Sequence, residues 1–192
     1  MGTKHYSEEK RKKQILEATF FLFNQKGYHE TKMDDIVKKS KLSKGTIYRF
    51  YKSKKELFLN LFDYLVCKFE KEVDSLPCAD IPPQVLLDEI IDIFIAHLRN
   101  KKNIFLADVQ FWSMSDREKE IREKIKRLYD RWTERIEYIF KNLGLSDIDS
   151  KIATIALIAL FDGFILRAVG EPNLDLEKNV KPVFVKFKKF FL

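Results

Sequence analysis

An all-α fold is the expectation for this chain, and two observations carry it. Six glycines and five prolines are few for 192 residues. Between them, apolar side chains recur at helical spacing over long runs, the pattern of helices joined by short turns rather than of strands. With 45% hydrophobic residues, there is material for one large globular unit or for a small domain attached to a larger one.

Ser7 is placed to cap a first helix, with Glu8 and Glu9 in the turn where the helix dipole favours acids. Leu16, Phe20 and Phe23 line one face of it, and Gly27 stops it. Thr31 is placed to cap a short second helix with Met33, Ile36 and Val37 as its apolar stripe, Asp34 standing where a box-forming acid belongs; this helix ends near Ser40. A turn of Ser40, Lys41 and Leu42 leads to Ser43, the cap of a third helix over Lys44–Tyr51, with Ile47 and one of Phe50 or Tyr51 buried. Two short helices joined this tightly make a helix-turn-helix. Ser53 and Glu56 then form a capping box and open a long amphipathic helix, 54–76, on Leu57, Phe58, Leu61, Phe62, Leu65 and Phe69.

Pro77, Pro82 and Pro83 break the pattern. Beyond them helices are expected at 84–99, 103–114, 117–142, 147–169 and 176–191, divided by Ser115-Asp116, Gly144 and Gly170-Glu171-Pro172-Asn173. Pro182 either kinks the last helix or marks its true start. The expected division is a small domain, 1–53, and a larger helical one, 54–192.

The formal net charge of +7 is unevenly spread: residues 1–60 hold 15 Lys and Arg against 7 Asp and Glu, the remainder 21 against 22. A basic segment on an otherwise neutral chain is either a polyanion-binding module, because cations near phosphates release counterions, or a solvated lysine-rich surface. Residues 1–13, with Lys4, His5, Lys10, Arg11, Lys12 and Lys13, are either an arm laid against a duplex or a frayed terminus. There is no signal-like N-terminal stretch, and no apolar run reaches the roughly 18 residues of a membrane span. A cytoplasmic location without a membrane partner is expected. Cys67 and Cys78 have neither metal-site spacing nor disulfide-scaffold density and are expected as reduced thiols.

Basic or small hydrogen-bonding residues fill the exposed positions of the third helix: Ser43, Lys44, Gly45, Thr46, Tyr48 and Arg49. That mixture suits a major groove. Lys and Arg donate to guanine edges, Thr offers a hydroxyl or methyl, Gly lets the backbone approach, and Tyr reaches a phosphate. The run from Ser43 to Leu57, SKGTIYRFYKSKKEL, in register with Gly27, Thr31 and Ile36, closely resembles the recognition-helix signature of the tetracycline-repressor (TetR) family of transcriptional regulators. The resemblance is strongest over residues 13–62. It implies that Lys44, Thr46 and Arg49 read bases, that Gly45 admits the backbone to the groove, and that Thr31, Ser43, Tyr48, Tyr51 and Lys55 hold phosphates. For Tyr48 and Tyr51 packing in the small core is the alternative. Two positions depart from the family pattern. Lys41 stands where a glycine is common, which strains the backbone if that residue is left-handed; Phe50-Tyr51 reverses the common order.

In the larger domain, Phe94, Phe105, Phe111, Trp112, Tyr129, Trp132, Phe161 and Phe164 either line an apolar ligand site or make up ordinary core. Tyr138 falls on the same helices. His97, Gln110, Asp162 and Arg167 are polar residues in apolar stretches, placed either to orient a ligand's polar end or to satisfy one another, Arg167 with Asp162. The helix 147–169 is apolar almost all round and must be covered on both sides. In the resembled family the last two helices pair with their counterparts in a homodimer. A twofold dimer sets two recognition helices about 34–36 Å apart or further, which implies a palindromic operator in double-stranded DNA.

The family resemblance therefore implies a sequence-specific DNA-binding regulator, a repressor released by a small apolar or amphipathic ligand. The alternative is a ligand-independent architectural DNA-binding protein. An enzyme is not expected: the sequence has no nucleophile–base pair, no metal-spaced His/Cys/Glu set and no glycine-rich phosphate loop, and neither cofactor nor metal is implied.

Overall fold

A computed structural model describes residues 8–74, 81–100, 111–116, 118–171 and 173–192. Among these residues helices account for the ordered structure and there is no strand. The helices are α1 (Glu8–Glu30), α2 (Met33–Ser40), α3 (Lys44–Phe50), α4 (Lys54–Asp74), α5 (Pro83–Asn100), α6 (Lys119–Asn142), α7 (Asp147–Gly170), α8 (Leu176–Asn179) and α9 (Lys181–Phe191). Residues 111–115 add a further helical stretch. The chain divides into two compact units, Met1–Lys68 and Phe69–Leu192; α4 runs through the boundary.

In the first unit Ile15, Phe23, Ile36, Ile47, Leu57, Phe58 and Leu61 are fully buried. The Phe23 ring meets Tyr28 edge-on at 5.4 Å and Phe58 at 5.8 Å, a geometry aromatic quadrupoles favour. Gly27 breaks α1 as expected, taking φ 81°, ψ 167°, but one more turn follows it, to Glu30. That extra turn shifts the start of α2. Its N-cap is Lys32, not Thr31, and the acid that closes onto the cap is Asp35, whose carboxylate accepts the Lys32 N–H at 2.8 Å. Lys41 adopts the left-handed conformation, φ 56°, ψ 28°.

In the second unit α5, α6, α7 and α9 enclose a core of Leu87, Ile90, Phe94, Ile136, Phe140, Ala153, Leu157 and Phe184. Gly144 supplies the positive φ, 91°, for the turn between α6 and α7. The expected helix at 176–191 is two. Asp175 caps α8, and Pro182 sits in the first turn of α9, where its missing N–H costs nothing.

α7 departs from the run-length argument made on the sequence. By length and composition it is apolar enough to cross a membrane, yet only 22% of its most apolar window is buried within the chain. Ile148, Ile152, Ile155 and Leu166 are 71%, 51%, 67% and 52% exposed. With Ala159 and Gly163 they fall at i, i+4, i+7, i+11, i+15 and i+18, one stripe down the helix.

Candidate functional site

α3 is built from local signals. Ser43 is its N-cap, extended at φ −66°, ψ 149°, and its hydroxyl accepts the Thr46 N–H at 3.1 Å. The same oxygen shares a hydrogen bond with the Thr46 hydroxyl at 2.8 Å. Ile47 is fully buried and Tyr51, just past the helix, is 4% exposed, so the opposite face turns outward. That face carries Ser43, Lys44, Gly45 and Arg49, all exposed, with Thr46 and Tyr48 half-buried beside them.

Lys44 donates to the Asp34 carboxylate at 2.9 Å, and that hydrogen bond holds its ammonium pKa above the ordinary lysine range. The Arg49 guanidinium lies 4.7 Å from the centre of the Phe50 ring. A Cβ built on Gly45 meets nothing within 4 Å, so packing among the described residues does not ask for glycine there.

Two residues expected to hold phosphates are buried. Thr31 is fully buried and its hydroxyl donates to the Gly27 carbonyl at 2.8 Å, an acceptor freed by the break in α1. The Tyr51 ring packs into the core, and burial pushes its phenol up to about 12. Lys55 is half-buried at the start of α4.

Lys54, which the sequence singles out only as the first residue of α4, has a larger part. Its ammonium donates to the carbonyls of Tyr28 at 2.8 Å, His29 at 3.1 Å and Thr31 at 3.0 Å, and lies 4.4 Å from the Tyr28 ring centre. Desolvation holds its pKa below the ordinary lysine range. The start of α4 is also capped: the Ser53 hydroxyl accepts the Glu56 N–H at 3.1 Å, while Glu56 reaches back to the Lys52 N–H at 2.6 Å, one residue before the expected partner. α1, α2, α3 and the first turn of α4 thus hold one basic, exposed helix face.

The family model for bacterial regulatory proteins of the tetR family matches residues 15–61, and that for the C-terminal part of BetI-type transcriptional repressors matches residues 83–181. The chain belongs to the tetR family. The HTH-type transcriptional regulator YhgD of Bacillus subtilis (strain 168) is 30% identical over 174 residues, covering 87% of this chain and 89% of that protein. Two solved structures share the fold. A transcriptional regulator from Saccharomonospora viridis in complex with choline aligns at TM-score 0.76 and 21% identity, over 86% of this chain and 88% of its own. The transcriptional regulator FadR of Bacillus subtilis in complex with stearoyl-CoA aligns at TM-score 0.72 and 20% identity, over 85% and 90%. The chain is a transcriptional regulator of the TetR type with an N-terminal helix-turn-helix and a larger helical C-terminal domain.

In the C-terminal part of this TetR-family chain the expected ligand residues separate into groups. Phe94, Phe161 and Phe164 pack around Phe184, with centroid distances of 4.3 Å for Phe94–Phe161 and 5.5–5.6 Å for Phe184 to Phe161 and Phe164. His97 is buried and stands edge-on to Phe69 at 4.9 Å; Trp132 meets the same ring at 5.3 Å. Tyr129 donates to the Asp162 carboxylate at 2.8 Å. Phe111 is 2% exposed and Trp112 half-buried. Arg167 is exposed and pairs with Glu171 at 2.9 Å, not with Asp162: residues five apart on a helix point to different faces, residues four apart share one. Phe105, Gln110 and Cys78 lie outside the described residues; Cys67 is exposed. Surface cavities of about 470 and 300 Å³ lie against Glu171, Asn173, Asp175 and Lys178 and between Leu98, Ala168 and Leu176, and among the described residues none of the expected ligand side chains lines either of them.

Proposed function

We propose that this regulator is a repressor that binds a palindromic operator as a homodimer through α3 and is released by a small apolar or amphipathic ligand. The DNA-binding domain is 1–53 and the ligand-binding and dimerisation domain 54–192. The observation that carries the proposal is the outward face of α3, where Lys44, Gly45, Thr46 and Arg49 stand in a capped helix within the basic third of the chain. Lys44 and Arg49 donate to guanine edges and Thr46 contacts a neighbouring base. Ser43, Tyr48 and Lys55 hold phosphates, and Gly45 admits the backbone. Thr31 and Tyr51 support this face from beneath.

The exposed apolar stripe of α7 favours a second copy as its cover. Ala159 and Gly163, in the middle of the stripe, let two helices approach closely, and the exposed Phe190 of α9 extends the apolar surface. The match to a BetI-type repressor supports repression, and neighbours that hold choline and stearoyl-CoA support a small-molecule effector. Half-buried Trp112, Tyr129, Trp132 and Phe161 keep surface for it, as does exposed Arg167. Release requires the ligand to favour the state that does not bind DNA, since equal affinity for both states shifts nothing. A displacement of α4 that moves α3 out of the groove meets that requirement.

The test is selection of binding sites from random duplex DNA by the purified protein, followed by titration of the winning site at several salt concentrations. The expected result is a palindrome bound by two subunits with a steep salt slope. Lys44→Ala and Arg49→Ala should lose discrimination between that site and random DNA, whereas Lys55→Ala weakens both alike. Weak, salt-sensitive binding with no enriched sequence would overturn the proposal in favour of a ligand-independent architectural protein.

A further inference from the structure

The two acids in the first turn of α2 have different employments. Asp35 closes the cap onto the Lys32 N–H and pairs with Lys26 at 2.6 Å, so it serves the helix and its attachment to α1. Asp34 instead reaches across the turn to Lys44, Nζ to Oδ1 at 2.9 Å, with side chains 62% and 68% exposed for Lys44 and Asp34. Ion pairs this exposed add little to folding. The pair stands where α2 and α3 meet, and its lysine is the first residue of the recognition helix.

We propose that Asp34 and Lys44 read one G·C base pair together, the ammonium donating to guanine O6 or N7 and the carboxylate accepting from the cytosine N4 amine. The proposal rests on the function given above. Its geometric basis is a match of spacing and polarity. The protein presents a donor and an acceptor one hydrogen-bond length apart. The major-groove edge of G·C presents O6 and N4–H, themselves joined by a hydrogen bond of roughly 2.9 Å, as an acceptor and a donor.

The carboxylate also has a cost. An acid beside a polyanion repels phosphate and cancels the counterion release that Lys44 would otherwise provide. That cost applies to every duplex and is offset only where a cytosine amine meets the carboxylate. A repulsive element of this kind raises discrimination rather than affinity.

The experiment compares wild type, Asp34→Ala, Asp34→Asn and Lys44→Ala in site selection, then titrates each on the winning site and on random duplex over a range of salt. Far-UV circular dichroism confirms that the variants fold; Asp34 is exposed and outside the cap. Wild type should enrich a G·C pair at one position of each half-site. Asp34→Ala should lose roughly ten-fold in preference at that position. It should also bind random duplex more tightly, with a salt slope steeper by about 1 per subunit as Lys44 turns to phosphate. Asp34→Asn, which keeps an acceptor without the charge, should gain on random duplex in the same way but keep more of the preference. Unchanged preferences in Asp34→Ala, with a changed one in Lys44→Ala, overturn the paired reading and leave the helix-turn-helix function standing. Equal loss of preference in the Asn and Ala variants overturns the acceptor role. A wild type that enriches no sequence overturns both proposals.

Discussion

The ammonium of Lys54 donates a hydrogen bond to the backbone carbonyl of Thr31 at 3.0 Å, fastening the first turn of α4 to the junction between α1 and α2. Two further carbonyls, of Tyr28 and His29, share the same ammonium. Tyr28 and His29 belong to the last turn of α1 and Thr31 follows its end, where helix carbonyls need donor partners from outside the helix. Replacing Lys54 with Met removes the donor these carbonyls share, and stability should fall by about 1.5–3 kcal/mol, the range for hydrogen bonds to a charged group. Denaturant titration followed by circular dichroism measures this. A midpoint equal to wild type would mean that water serves the three carbonyls as well.

Gly45 sets local stability against recognition. Alanine there meets no neighbour within 4 Å and suits a helix better than glycine, so Gly45→Ala should stabilise the protein by about 0.5 kcal/mol. The same methyl group stands between the α3 backbone and any duplex lying against it, and operator affinity should drop at least several-fold. Melting temperature and operator titration on one preparation measure both. Undiminished binding would rule out close backbone approach at this residue.

Lys41 holds a left-handed conformation, φ 56°, in the turn of the helix-turn-helix. Side chains with a Cβ pay for this conformation, and glycine does not. Lys41→Gly should therefore raise stability by about 1 kcal/mol, and a loss on thermal melting would show that the lysine side chain has a compensating contact.

Asp162 makes stability depend on pH. Burial raises its carboxyl pKa above the ordinary aspartate value, and the Tyr129 hydrogen bond opposes that only in part. The folded chain therefore holds this proton more tightly than the unfolded one. The contribution of Asp162 is most favourable in acid and falls as the pH rises from the ordinary aspartate value through the folded pKa. Asp162→Asn keeps an acceptor for Tyr129 and carries no charge. It should melt higher than wild type at neutral pH, with the difference closing as the pH drops below the ordinary aspartate range. A difference independent of pH would assign the effect to packing instead.

What was legible in the sequence was local. Ser43 as cap, α3 with Ile47 inside, the break at Gly27 and the strain at Lys41 each depend on residues within about one helical turn, and these expectations match the structure. Asp35 replaced Asp34 at the cap of α2 because the extra turn after Gly27 moved the start by one residue and drew the Thr31 hydroxyl into the core. Lys54 left no local sign, since its acceptors lie 23 to 26 residues upstream. The rings of Phe94, Phe161 and Phe164 were recognisable as apolar positions, but their meeting around Phe184 depends on how α5, α7 and α9 pack. Periodicity within one helix carries no information about that. The sequence left Arg167 open to a ligand's polar end or to Asp162; helix geometry pairs it with Glu171, four residues on.

The exposed stripe of α7 has a consequence for the amount of protein in a cell. A single folded chain leaves Ile148, Ile152, Ile155 and Leu166 in contact with water, so whatever covers them adds to stability by mass action. With a second copy as the cover, the melting temperature rises with protein concentration, and a subunit made in small numbers is also the one that unfolds and is degraded soonest. Abundance and durability are then tied together by one helix face, and the level at which the regulator accumulates acquires a threshold.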